Sequence, residues 1–182
     1  MILSRFFAIF AAGAATTATL GAFGALAQVG PDPRVAELAD RAAQAHASLM
    51  RGDIARYRSV MPIASDFTLM DPFGGKPTGT PASDAHWQRI GRFFRDGRDA
   101  RFDLIRAYHA PDLVVLVANE YAHVAVGSLA AQDWSLRVTL VFRRHEDGWQ
   151  LVHRHADPLV KGVSLERAAQ LTLGRFAHMT GA

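Results

Sequence analysis

The sequence predicts an α+β domain in which helices pack on one face of a curved antiparallel sheet. Three observations carry that expectation. Helical periodicity dominates the chain up to about residue 97, with one short strand inside it. Four long period-2 runs follow, at 101–109, 113–126, 134–145 and 149–157. The last two runs are joined by Glu146-Asp147-Gly148, a tight hairpin signal. The chain has 182 residues, which suits one domain plus an appendage. Its 49% hydrophobic and 20% charged content is that of a chain that builds a core, not of a disordered segment or a coiled coil.

The elements follow in order. Asp32-Pro33 supplies an N-cap and a first helical residue. From there to Met50, Val35, Leu38, Ala42, Ala45 and Leu49 form one apolar stripe, with His46 inside it. Arg51-Gly52-Asp53 ends that helix, and Asp53 caps a short second one reaching Val60. Phe67 to Met70 reads as a strand, and Asp71-Pro72-Phe73-Gly74-Gly75-Lys76-Pro77 as a loop. Asp84 opens a third helix, with Trp87, Ile90, Phe93 and Phe94 as its apolar, core-forming face. The strand runs come next, separated by Ala110-Pro111-Asp112 and by a loop near Ala130 to Gln132. A terminal helix is expected from Ser164 to Met179.

Before the first helix lies a targeting segment. MILSR leads into residues 6–27, an uncharged apolar run closed by Ala25-Leu26-Ala27. A basic start, an apolar stretch and a small-x-small site are the layout of a secretory signal peptide. The run also meets the roughly 20 residues that a membrane span needs, so a retained anchor is the other reading. The expected organisation is therefore 1–27 signal peptide, 28–160 folded domain and 161–182 helical extension. The expected location is periplasmic or secreted, with membrane association only if the signal is retained.

Composition removes several functions. With no cysteine there is no disulfide framework, thiolate metal site or cysteine nucleophile. Twenty Lys and Arg against 17 Asp and Glu give a net charge of only +3, too little to argue for nucleic acid. Arg89, Arg92, Arg95, Arg98 and Arg101 cluster, but Asp96, Asp99 and Asp103 interleave, which reads as a solvated face. Gly74-Gly75-Lys76-Pro77 lacks the strand–loop–helix setting and the Lys-Ser/Thr pair of a phosphate loop.

The strings Ser135-Leu136-Arg137-Val138-Thr139-Leu140-Val141-Phe142-Arg143-Arg144 and Asp147-Gly148-Trp149-Gln150-Leu151-Val152-His153-Arg154-His155-Ala156-Asp157-Pro158 strongly resemble the final hairpin of SnoaL-like proteins. These belong to the nuclear transport factor 2-like, or ketosteroid isomerase-like, superfamily. Gly52-Asp53 and the stretch from Phe67 to Gly79 fit the same pattern, and the resemblance spans roughly residues 34–160. It implies a cone-shaped fold, a strongly bent sheet wrapped around helices with a pocket inside, and a homodimer formed through the sheet. It does not imply one chemistry, because the superfamily holds isomerases, dehydratases, cyclases and non-catalytic binding or assembly modules.

Strict alternation puts Trp149, Leu151, His153, His155 and Asp157 on one strand face. His155 or His153 is then a candidate base, oriented by Asp157, with Arg137 stabilising developing oxyanion charge. The competing reading makes the His pair a structural feature that bonds neighbouring strands. Candidate ligand-binding residues are His46, Asp71, Tyr121 and Thr139. His46 either lines the pocket or is a satisfied core residue. Asp71 is either a pocket base, as carboxylates are in ketosteroid isomerase-like folds, or a turn residue before Pro72. Tyr121 shares a face with Asn119 and His123, and Thr139 with Arg137. A metal on His153 and His155 would need a third ligand from His46, His86, His123 or Asp157, and none has a defined spacing, so neither metal nor cofactor is expected. The expected partner is a small, partly apolar molecule. It is bound without turnover or, alternatively, processed by a cofactor-free isomerase, dehydratase or cyclase.

Overall fold

A computed structural model describes residues 32–172. The predicted signal peptide at 1–27 lies outside the described residues, as does the end of the predicted terminal helix beyond Thr172. Helix α1 spans Pro33–Met50. Asp32 caps it by accepting the Arg34 N–H at 2.9 Å, with Pro33 fixed in the first turn. Helix α2, Ile54–Val60, is capped by Asp53, which accepts from Arg56 N–H at 3.0 Å. Strand β1, Ile63–Met70, and helix α3, Asp84–Phe93, complete the first half. The strands β2 (Phe94–Ala110), β3 (Leu113–Val126), β4 (Gln132–His145) and β5 (Gly148–Pro158) follow, and then helix α4, Leu165–Thr172.

The sheet order is β1-β5-β4-β3-β2. The pairs β2–β3, β3–β4 and β4–β5 are antiparallel, as a meander requires. β1 joins the edge parallel to β5, pairing Thr68 with His153 and Met70 with His155. The expected α+β architecture with a curved antiparallel sheet is what the chain forms, and the parallel edge strand extends it. The inner face of the sheet packs on α1: Val35, Leu38, Ala42 and Ala45 meet Val114, Leu116, Leu140, Phe142, Trp149 and Leu151 in one buried cluster. Each of the larger side chains contributes about 1.5–3 kcal/mol by leaving water.

Register shifts interrupt β1, β2 and β5, and two of these departures bear most on the site. β2 begins at Phe94, seven residues before the expected 101, because its first half is irregular. The register with β3 shifts between Arg95 and Arg98 and again between Arg98 and Arg101. Asp96 and Asp99 take φ of 57° and 56° there, left-handed positions that Asp tolerates better than most residues. Each extra residue bends the strand, and together they wrap it past the end of α1. The second departure lies in β5, where Leu151 pairs with Phe142 but His153 pairs with Val141. Val152 is the extra residue of a β-bulge, and every side chain after it is out of step with Trp149 and Leu151.

That bulge corrects the expected face. Trp149 and Leu151 are buried on the inside, but beyond Val152 it is Arg154 and Ala156 that continue the inner face, beside Leu136, Val138 and Leu140. His153, His155 and Asp157 point to the outer face with Arg137, Thr139 and Val141.

Candidate functional site

The inner side of the sheet, α3 and the loop after β1 line an open cavity of about 360 Å³. Its wall is mostly apolar: Leu49 and Met50 from α1, Phe67 and Leu69 from β1, Trp87, Ile90 and Phe93 from α3, and Trp134 and Leu136 from β4. Alternation explains this lining, since Phe67 and Leu69 share one phase of β1 and Trp134 and Leu136 share one phase of β4. The aromatic residues that the helical pattern assigned to core thus double as cavity wall. Polar groups reach the wall from Tyr57, Asp71, His86, Arg89 and Arg154.

Arg154 is the pivot of the site. It is brought inward by the Val152 bulge and its side chain is only 16% exposed. Its Nη1 and Nη2 donate to the two carboxylate oxygens of Glu120 at 2.8 and 2.7 Å, a bidentate pair. Glu120 sits on β3 between Ala118 and Ala122 on the buried face, 3% exposed. His46 of α1 lies on its other side. The His46 Nδ1 is 3.4 Å from Glu120 Oε2, and its Nε2–H donates to the Tyr121 carbonyl at 2.9 Å. Arg154, Tyr57 and Leu49 also line a second, much smaller cavity of about 20 Å³ with His46 and Glu120. Arg154 and Tyr57 therefore form the floor of the large cavity, and His46 and Glu120 lie beneath it.

The electrostatics follow from burial and pairing. Burial alone would push the Glu120 carboxyl up, but Arg154, and then His46, hold it below the ordinary carboxylate range. Burial opposes the Arg154 charge, and the adjacent Glu120 raises it on balance. Burial pushes the Tyr57 phenol up, with Arg154 opposing and Glu120 adding to the rise. The floor is thus an ionised bidentate pair beside a neutral phenol.

The residues expected to carry chemistry are placed as follows. His153, His155, Asp157, Arg137 and Thr139 do come together, paired across β4 and β5, but on the outer face and away from the large cavity. Arg137 forms an ion pair with Asp157, and the His153 Nδ1 is 3.0 Å from the Thr68 carbonyl. The rings of His153 and His155 stand 6.5 Å apart. His155, Asp157 and Asp71 border a separate surface depression of about 240 Å³ with Gly74, Gly75 and Lys76. Asp71 behaves as a turn residue: its Oδ1 accepts the Phe73 N–H at 2.9 Å. Tyr121 lies on the outer face, where the Arg101 guanidinium stacks 4.3 Å from its ring centre. Of the expected set, only His46 joins the polar system under the cavity, while Asp71 reaches the cavity's edge. Sequence reasoning missed Glu120, Arg154 and Tyr57. Glu120 had a signal, a lone carboxylate in phase with Val114, Leu116, Ala118, Ala122 and Val124. Arg154 had none, because the bulge that turns it inward leaves no mark in the alternation. Among the described residues, no group of three or more His, Cys, Asp or Glu side chains is placed to hold a metal ion.

A curved sheet packed around a long helix is the fold shared with NTF2-like structures. Residues 38–160 match the family model of the SnoaL-like domain, and the chain belongs to that family. No curated protein matches it by sequence. Among solved structures, it is similar to a candidate calcium/calmodulin-dependent protein kinase type II association domain from Thiobacillus denitrificans. That pair is 23% identical over 71% of this chain and 97% of the other, with a TM-score of 0.51. A candidate dehydratase of the NTF2-like family from Streptomyces avermitilis is 16% identical over 72% of this chain and 99% of its own, with a TM-score of 0.54. An NTF2-like superfamily protein from Salmonella enterica serovar Typhimurium is 13% identical over 74% and 99%, with a TM-score of 0.57. At these identities the likeness is one of fold.

Proposed function

We propose that this SnoaL-like chain is exported and binds a small, partly apolar molecule bearing a carbonyl or carboxylate oxygen in its inner cavity. The observation that carries the reading is the pairing of an apolar wall with Arg154 on the floor of a cavity of about 360 Å³. An Arg side chain has five N–H donors, and two of them satisfy Glu120. The others are left for an oxygen presented from the cavity, while the aromatic wall takes the hydrocarbon part. The reading extends to a periplasmic or secreted protein released after Ala27, and to a homodimer joined through the outer sheet face.

Binding stands ahead of cofactor-free isomerase, dehydratase or cyclase chemistry because the one carboxylate under the cavity, Glu120, is committed to an ion pair, and Asp71 stands only at the cavity's edge. Glu120 is held by Arg154 and His46, while Asp71 uses one oxygen, Oδ1, in its own turn. A general base needs a lone pair free to take the proton.

The test is native mass spectrometry of protein purified from the export compartment, followed by calorimetric titration with 2-naphthoate. The expected results are a copurified small molecule or saturable naphthoate binding. A cavity-filling Ile90→Trp variant should weaken naphthoate binding at least tenfold with an unchanged melting temperature. Absence of both a copurified mass and saturable binding refutes the proposal.

A further inference from the structure

Among the described residues, one buried side-chain nitrogen or oxygen has no hydrogen-bond partner: the indole Nε1 of Trp134. Buried donors are nearly always paired, so an unpaired one beside a cavity calls for a partner that the chain itself does not supply. Trp134 stands on the inner face of β4, in phase with Leu136, and lines the large cavity with Arg154 and Phe73. The Phe73 ring lies against it, 5.9 Å between centroids and tilted by 35°, and also meets Phe93 edge-on at 5.6 Å.

Phe73 is set apart from the rest of that wall. It is 56% exposed and stands in the loop closed by the mutual Leu69–Thr78 backbone hydrogen bonds. The next two residues, Gly74 and Gly75, have φ of +79° and +95°, and a Cβ on either would meet nothing within 4 Å. The Cβ side of both glycines faces open space, so the backbone there has room to change, and moving the Phe73 ring breaks its contacts with Phe93 and Trp134.

We infer that Trp134 is a specificity-determining residue of the cavity, its indole N–H donating to a carbonyl oxygen of the bound molecule once Phe73 has turned aside. An indole N–H donates and cannot accept, so the group it selects must be an acceptor. It is uncharged, so it discriminates by hydrogen bonding, whereas Arg154 attracts by charge as well. Two donors on different strands, Trp134 on β4 and Arg154 on β5, select for a rigid molecule with oxygen at a defined position on an apolar frame. This inference rests on the reading of the cavity as a binding pocket and narrows the class of molecule bound there.

The test compares the mature protein with its Trp134→Phe variant, which keeps an aromatic ring and deletes the N–H. Each is titrated with indanone and with indane, two frames that differ by one carbonyl oxygen, and followed by proton–nitrogen correlation NMR. The Trp134 indole resonance is identified by its absence from the variant. Indanone should move that resonance downfield and bind about tenfold more tightly to the wild type than to the variant. Indane should bind both alike. Equal indanone affinity for both proteins overturns the inference, while saturable indane binding in the same experiment leaves the pocket reading intact. Failure of both compounds to bind removes the pocket reading and this inference together. Without ligand, the variant should fold and melt somewhat below the wild type, since Trp134 packs against two buried clusters and Phe fills less space. If the variant does not fold, the indanone-induced shift of the wild-type indole resonance decides alone.

Discussion

Glu120 and Arg154 show how one ion pair governs both stability and the cavity floor. Replacing Arg154 by Met strands a carboxylate that is 3% exposed, and the expected cost is about 3–5 kcal/mol in urea unfolding. The double variant Glu120→Leu/Arg154→Met should recover most of it, because removing both charges also removes the desolvation they suffer. The pair also sets an acid limit. The folded carboxyl is held below its ordinary value of 4.5, so its contribution is complete above about that pH and is lost as pH falls through the lower folded value. Unfolding of wild type and Glu120→Gln at pH 7, 4.5 and 3 should show the wild-type advantage narrowing as pH falls. An advantage that grows toward acid would contradict the assignment. Glu120 left a signal in the sequence that the reading missed, a charge out of keeping with its apolar phase. Arg154 left none, since alternation counted through Val152 assigns it to solvent.

At the scale of elements, the helices and long strands were legible because each carries its own periodicity and its own cap. Asp32, Asp53 and Ser83 accept the backbone N–H bonds that their positions imply. The start of β2 was not legible. Arg95-Asp96-Gly97-Arg98-Asp99-Ala100-Arg101 has no period-2 pattern and reads as loop, yet it pairs with β3 through two register shifts. Gly97 shows what that irregular stretch is for. A Cβ there would stand 2.4 Å from the backbone C and O of Met50, so β2 crosses the end of α1 with no room for a side chain. Gly97→Ala should cost about 3 kcal/mol in urea unfolding, with the strand forced off the helix. Gly74→Ala, in open space but at positive φ, should cost only about 1 kcal/mol. Equal costs at the two positions would mean that the α1–β2 crossing is not tight.

At the scale of the molecule, the fold family was legible from the last hairpin, and the cavity from neither hairpin nor helix alone. Its wall draws on residues from β1, α3, the Phe73 loop and β4, elements that sequence patterns describe one at a time. The outer face that received His153, His155, Asp157 and Arg137 is the face proposed for the homodimer. Half-buried Val115, Val117 and Val141 lie across its middle, with Tyr108 beside Val115. Sedimentation of the mature protein should give twice the chain mass. A Val117→Lys variant should sediment as a monomer and still bind 2-naphthoate, since the cavity opens on the other side of the sheet. A wild-type monomer would remove the dimer from the proposal.

The parallel edge has a consequence for how the chain comes together in time. Within the sheet β1 pairs only with β5, Ile63 with Leu151 and Thr68–Met70 with His153–His155, across most of the domain's sequence. While the chain is being made from its N-terminus, β1 therefore has only the local Leu69–Thr78 bridge, and no partner strand, until the last strand is made. Contacts this distant in sequence form late, because the loop between them must be closed first. For a chain proposed to leave the cell through a narrow channel, that lateness is useful. The β2–β3–β4 meander can form earlier, but β1 cannot join the sheet while the final strand is missing.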